Sequence, residues 1–183
     1  MKTNTQESQA KVTDADVMNV ARTAFQHARA GEAMSLAWLV TAGLPANLAN
    51  EKGDTLLMLA SYHGHVDATR ALLLHGADPE RTNDRGQTPL AGAAFKGDVT
   101  IARLLLDHGA RVDGAGPDGK TALMFAAMFD RVEVLELLLA RGAAPEFVDA
   151  EKRTALDYAR AMGARRTAEK LAGLQGTSAP QRA

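Results

Sequence analysis

Apolar residues recur along this chain on two scales. Over a few residues they follow helical spacing, as Ile101, Leu104 and Leu105 do within 99–108. Over a longer distance the whole pattern returns every 33 residues. Leu90 recurs as Leu57, Leu123 and Leu156, and Ala93 as Ala60, Ala126 and Ala159. Leu105 recurs as Leu39, Leu72, Leu138 and Leu171. The polar and special positions keep the same step: Thr88 returns as Thr55, Thr121 and Thr154, and Gly109 as Gly43, Gly76 and Gly142. Fixed self-similarity at this period marks an architecture of stacked repeats.

One copy, 83–115, shows what the unit is. Gly86 follows Asn83 and Asp84 in a turn where positive φ is needed. Thr88 caps a helix and Pro89 suits its first position. The run 90–95 is small and apolar, which predicts a thin buried helix that Gly97 ends. A second helix over about 99–108 stops at Gly109, a left-handed cap. An extended stretch then leads to the next turn. The unit is helix, turn, helix, hairpin-like loop, and the same reading places helices near 55–63, 66–75, 121–129 and 132–141.

The turn Gly, Thr88-Pro89-Leu90, the paired Ala93 and Ala94, Gly64-His65, the Leu runs and Gly76-Ala77-Asp78 resemble the ankyrin repeat. The resemblance implies an all-α ankyrin-repeat solenoid of about five helix-turn-helix repeats, with the first and last as caps. The repeats are expected at about 17–49, 50–82, 83–115, 116–148 and 149–172, within one domain over 13–173. A flexible N-terminal tail over 1–12 and a disordered C-terminal tail over 174–183, rich in Gly, Ser, Thr and Pro, complete the chain. The chain departs from the family pattern in places. Met58, Ala91, Met124 and Asp157 stand where the family has His after Thr-Pro-Leu. Asp130 replaces the inter-helix Gly, and Asp tolerates left-handed backbone better than most residues. Lys152 replaces a turn Gly. Trp38, the single tryptophan, is expected in the core of the first cap.

Composition narrows the function. Hydrophobic residues make up 46% but aromatics only 4%, which suits thin helices packed through Ala and Leu. A net charge of -1 offers no electrostatic case for nucleic acid or an anionic membrane. With no cysteine, disulfides, thiolate metal sites and a Cys nucleophile are excluded. No apolar run approaches a membrane span, and the N-terminus lacks the apolar core of a secretory signal, so a cytoplasmic protein is expected.

Three stretches imitate chemistry. His63, His65 and Asp67 match an H-x-H-x-D metal pattern. The repeat accounts for them as well, with Gly64-His65 between helices and Asp67 at a positive helix end. Gly114 to Gly119 matches G-x-G-x-x-G, but here it is a loop between repeats with no parallel strand before it. His75 and His108 recur at helix C-termini, where they complement the dipole. No cofactor and no enzyme is expected.

The ankyrin resemblance further implies that the two residues before the inter-helix Gly face a concave groove and vary with the partner. Those positions are Tyr62 and His63, Phe95 and Lys96, Met128 and Phe129, then Ala161 and Met162. Stacking should align Tyr62, Phe95 and Met128. An exposed apolar row of this kind marks a binding site. Loop tips carrying Glu51, Lys52, Asp54, Asp84, Arg85, Gln87, Asp118 and Lys120 would form its polar rim. The expected function is a non-catalytic module, monomeric when free, that grips one protein partner. The resemblance to small free-standing bacterial proteins of this type implies a module that inhibits, neutralises or stabilises a partner enzyme. Self-association through the same row and a metal protein using His63, His65 and Asp67 are the alternatives.

Overall fold

A computed structural model describes residues 13–176, so the N-terminal tail expected over 1–12 lies outside the described residues. Ten helices occur among them: α1 Asp14–Ala30, α2 Ala33–Thr41, α3 Leu56–Tyr62, α4 Val66–Leu74, α5 Pro89–Lys96, α6 Val99–Asp107, α7 Ala122–Met128, α8 Val132–Ala140, α9 Ala155–Ala161 and α10 Arg165–Gly176. They pair as α1/α2 through α9/α10. The first helices stack in one layer and the second helices in another, each packed against its sequence neighbours. The fold is an all-α repeat solenoid.

Each first helix starts on a threonine. The Thr55, Thr88, Thr121 and Thr154 hydroxyls accept from the backbone N–H three residues on, at 3.1, 3.1, 3.4 and 3.2 Å. These caps do not need the missing His. Met58, Ala91 and Met124 are simply buried at its positions, and Asp157 closes a reciprocal capping box on Thr154. Behind the caps, Leu57, Leu90, Leu123 and Leu156 fill the core, and Ala60, Ala93, Ala126 and Ala159 let adjacent helices approach. Leu72, Leu105, Leu138 and Leu171 supply the second layer.

The loops are held by a side-chain knot that repeats with the helices. Asn50 Oδ1 accepts from the Lys52 and Asp54 N–H groups, Asn83 Oδ1 from Arg85 and Gln87, and Asp149 Oδ1 from Glu151 and Arg153. Adjacent loops join where Asp84 N–H donates to the Lys52 carbonyl and Ala150 N–H to the Asp118 carbonyl. Isolated antiparallel bridges, Ala49 with Thr55 and Ala115 with Thr121, give the hairpin character. The Asp149 carboxylate is buried and takes a 2.5 Å hydrogen bond from the Tyr158 hydroxyl. Burial pushes Asp149 up, but the bonds from Tyr158 and the Arg153 backbone and the charges of Lys120 and Arg153 outweigh it and hold its carboxyl below the usual value.

Position 116 breaks the knot. Gly116 stands where Asn50, Asn83 and Asp149 do, and its loop runs against the preceding one. A Cβ on Gly116 would lie 1.8 Å from the Gly86 carbonyl oxygen. A Cβ on Gly114 would lie 2.7 Å from the Glu80 carboxylate. The glycines of this G-x-G-x-x-G stretch therefore serve close loop packing.

The left-handed positions behave as expected. Asp130 has φ 54° and Lys152 φ 59°. Asp130 also gains a use that Gly lacks: its Oδ1 accepts from the Thr167 N–H at 2.9 Å and the Thr167 hydroxyl at 3.2 Å, tying α10 to the preceding repeat.

Two expectations need correction. Trp38 is not cap core; it is 69% exposed. Its equivalents Leu104 and Leu137 are 6% and 7% exposed because a preceding second helix covers them, and among the described residues none precedes α2. The terminal helix also runs further than expected. α10 continues to Gly176, past the boundary at 174, and 177–183 lie outside the described residues.

Two stability outcomes follow from the packing. Thr69 is fully buried in α4 and its hydroxyl has no hydrogen-bond partner among the described residues. Replacing it with the isosteric Val should raise the unfolding free energy in urea by about 1 kcal/mol. Gly116→Ala should lower it by roughly 2 kcal/mol, because the loop backbones must separate.

Candidate partner-binding groove

The first helices end on the same side of the stack, and their last residues form a continuous row. The Tyr62 and Phe95 rings lie nearly parallel, with centroids 6.4 Å apart and an interplanar angle of 14°. Phe95 meets Phe129 edge-on at 4.6 Å and 77°. Upstream, His63 sits edge-on to Tyr62 at 5.7 Å and stacks on His65 at 6.1 Å. Lys96 Nζ lies 5.1 Å from the Tyr62 ring centroid, within cation–π range. The row spans three repeats. Tyr62 is 43% exposed, while Phe95, Met128 and Phe129 are each half-buried.

The row is offset from the expected one. Met128 shares the register of Tyr62 and Phe95, yet Phe129 makes the ring contact and Met128 packs against the core. α7 ends at Met128 in the same register as α3 at Tyr62, so the difference lies in the side chains: the ring here is at Phe129, where the second repeat has His63 and the third Lys96. Met162 extends the face at the last repeat and is 57% exposed, with Ala161 exposed beside it.

A groove of about 450 Å³ opens between α3 and α5, below Tyr62 and Phe95. Leu59, Met58, Pro89 and Gly92 line its apolar side, and Asp54, Asn83, Arg85 and Gln87 its loop side. Its cause is readable in register: Gly92 stands where the other repeats carry Leu59, Phe125 and Tyr158. The signal in the sequence is a single missing side chain in an otherwise bulky register.

The rim residues divide into two groups. Glu51, Lys52, Asp84 and Arg85 are exposed. Asp54, Gln87, Asp118 and Lys120 are half-buried and serve the loops. Asp54 accepts from Asn83 Nδ2 at 2.9 Å, Gln87 accepts from the same group at 3.3 Å, and Lys120 pairs with Asp118 at 2.8 Å.

The remaining histidines have structural partners. His65 Nε2 donates to the Arg29 carbonyl at 2.8 Å, linking the second repeat to the first. Arg131 Nε donates equivalently to the Phe95 carbonyl at 3.1 Å. His75 and His108 donate through Nδ1 to the carbonyls of Ala71 and Leu104, at 2.7 and 2.9 Å. Among the described residues no three His, Asp or Glu side chains converge as a metal site, and His65 and Asp67 are not drawn together with His63 into one.

Stacked helix pairs with a recurrent loop knot and a face of variable residues define an α-solenoid of the repeat-scaffold class. A family model described as ankyrin repeats, three copies, matches 24–115 and 111–180. The chain belongs to the ankyrin-repeat family. An ankyrin repeat protein of Pseudomonas aeruginosa is 59% identical over 46 residues, 25% of this chain and 27% of that protein. The human ankyrin repeat domain-containing protein 29 is 42% identical over 60 residues, 32% of this chain and 20% of that protein. The chain thus spans between a fifth and just over a quarter of the length of these relatives. Ankyrin repeats in general mediate protein–protein interactions and are non-catalytic. No helix among the described residues is long and apolar enough to cross a membrane.

The groove carries a pH signature. His63 is held below its ordinary pKa by desolvation among its neighbours, then by the like charges of His65, Arg29 and Lys96. The unfolded chain therefore binds this proton more readily than the folded one. Raising the pH from the folded pKa to the ordinary value of 6.5 should increase stability, and the gain should be complete above 6.5. In an NMR titration His63 should titrate below 6.5, and Lys96→Ala should move its midpoint upward.

Proposed function

We propose that this chain is a non-catalytic cytoplasmic binding module, monomeric when free, that grips a single partner protein through its concave groove and the exposed loop tips. The observation that carries this reading is the ring row Tyr62–Phe95–Phe129, half-exposed and continuous over three repeats. Large rings held by their neighbours have already lost most of their conformational freedom. They offer contact area at little further entropic loss, as interface hot spots do. The exposed charges of Glu51, Lys52, Asp84 and Arg85 suit the rim of such a patch, where each contributes less than the centre. In this reading the module works by occupancy. It blocks or stabilises the partner surface it covers.

The combined variant Tyr62→Ala, Phe95→Ala and Phe129→Ala should keep the helical circular dichroism of the parent. It should lose at least about a hundredfold in affinity for the partner, the loss expected when interface anchors are removed together. The partner is identified by capture from native lysate, with the variant as control. Equal affinity for parent and variant would place the interface elsewhere, on the loop tips or the last helix.

A further inference from the structure

The N-terminal end of the stack is unlike every joint inside it. In α6 the positions Ile101, Leu104 and Leu105 are buried, and in α8 so are Val134, Leu137 and Leu138. Their counterparts in α2 are Ser35, Trp38 and Leu39, which share one helix face. Ser35 and Leu39 are only half-buried and Trp38 is exposed. The edge of this face also differs. Inside the stack, α8 and α10 reach back to acids on the second helix before them: Arg141 to Asp107 at 2.8 Å, Arg166 to Glu133 at 3.5 Å and Lys170 to Glu136 at 2.5 Å. In the same register α2 carries Ala42, Met34 and Trp38. No residue of α2 is charged, and Glu32 at its start is paired with His27 at 2.7 Å. The onward face of α10, by contrast, has Glu169 exposed in the register of Glu136. Where α10 offers water a charge, α2 offers a thioether and an indole.

The molecule itself shows what covers such a face. A second helix does so at each interior joint, α4 over α6 and α6 over α8. At α2 the covering helix must be apolar where it meets Met34 and Trp38, because no cation stands there to receive an acid. The chain's own tails do not supply it. Residues 1–12 hold only Met1, Ala10 and Val12 as apolar side chains, and 177–183 contain a proline. A second copy stacked head to tail would bring the Glu169 carboxylate to Trp38, as Glu136 meets Lys170. Two copies stacked head to head would mate like faces, whereas the interior joints mate unlike ones. A nine-residue helix face also falls well short of the roughly 800 Å² per partner that a stable pair buries. A protein already held in the groove needs no such area, because a second contact on the same body forms at high effective concentration.

We propose that the uncovered face of α2, centred on Met34 and Trp38, is a second docking point that takes an uncharged apolar helix of the partner protein, laid where a preceding second helix would lie. This rests on the groove reading for the remainder of the affinity and adds a contact outside the groove.

The full chain is panned against a displayed library of helix-forming peptides free of tryptophan, and the enriched peptides are synthesised. Trp38, the single tryptophan, reports their arrival. Its emission should move to shorter wavelength and become shielded from acrylamide. The expected consensus has apolar residues at i, i+3, i+4 and i+7 with no charge among them. Met34→Arg combined with Trp38→Lys installs the α10 residues of the same register on an exposed face, so the helical circular dichroism should be kept. The affinity of labelled peptides should fall about tenfold or more in this double variant and stay unchanged in the triple ring variant. Failure to enrich a helical sequence, a charged consensus, or binding indifferent to the double variant would overturn the proposal. Three further results would do the same by naming another occupant. They are a Trp38 already shielded in the free chain and exposed by removing 1–12, a dimer in sedimentation that the double variant dissolves, and the same emission shift with phosphatidylcholine vesicles. If a captured protein loses affinity with the ring variant but keeps it with the double variant, the groove stands and the α2 contact falls. The reverse result removes the groove and leaves the α2 contact.

Discussion

No repeat of this chain can bury its apolar surface alone. A first helix of seven or eight residues is too short to be stable by itself, and its two sides face the repeats before and after it. Nearly every other feature follows from that constraint. Alanine at 60, 93, 126 and 159 brings the helices close enough to cover one another. The threonine caps make such short helices possible, and the Asn50, Asn83 and Asp149 knots fix the loops so that successive pairs arrive in register.

The same constraint decides what could be read from the sequence. The period, the caps and the helix ends are local, so Thr88, Leu90 and Gly97 announce them without any partner. Burial is not local, because it depends on what lies on either side. Trp38 shares its register with Leu104 and Leu137, yet it is exposed, because among the described residues no second helix precedes α2 to cover it. The polar loop residues show the same limit. Asp54 reads as a free charge, but its bond from Asn83 of the next loop exists only once the loops lie side by side, whereas Gln87, Asp118 and Lys120 are tied within their own turns.

The candidate site was partly legible for the same reason. The register brought Tyr62 and Phe95 together, and the structure places their rings in contact. Of Met128 and Phe129, both read as groove positions, it could not say that Phe129 would meet the Phe95 ring while Met128 packs against the core, because that depends on the neighbouring repeat. The hollow at Gly92 was visible as a missing side chain in an otherwise bulky series. A list of candidate contact residues does not register an absence.

The tethers from His65 and Arg131 have a mechanical counterpart. A stack joined only between neighbours bends as a chain of springs in series, and its softest joint takes most of any imposed curvature. The joint spanned by Asp98 lacks that tether and is held instead on its loop side, where Asp84 N–H donates to the Lys52 carbonyl, Asn83 to Asp54 and Arg111 to Glu80. Any rotation at this step would therefore hinge about its bonded loop edge and widen or narrow the far edge, where the Tyr62 and Phe95 rings meet.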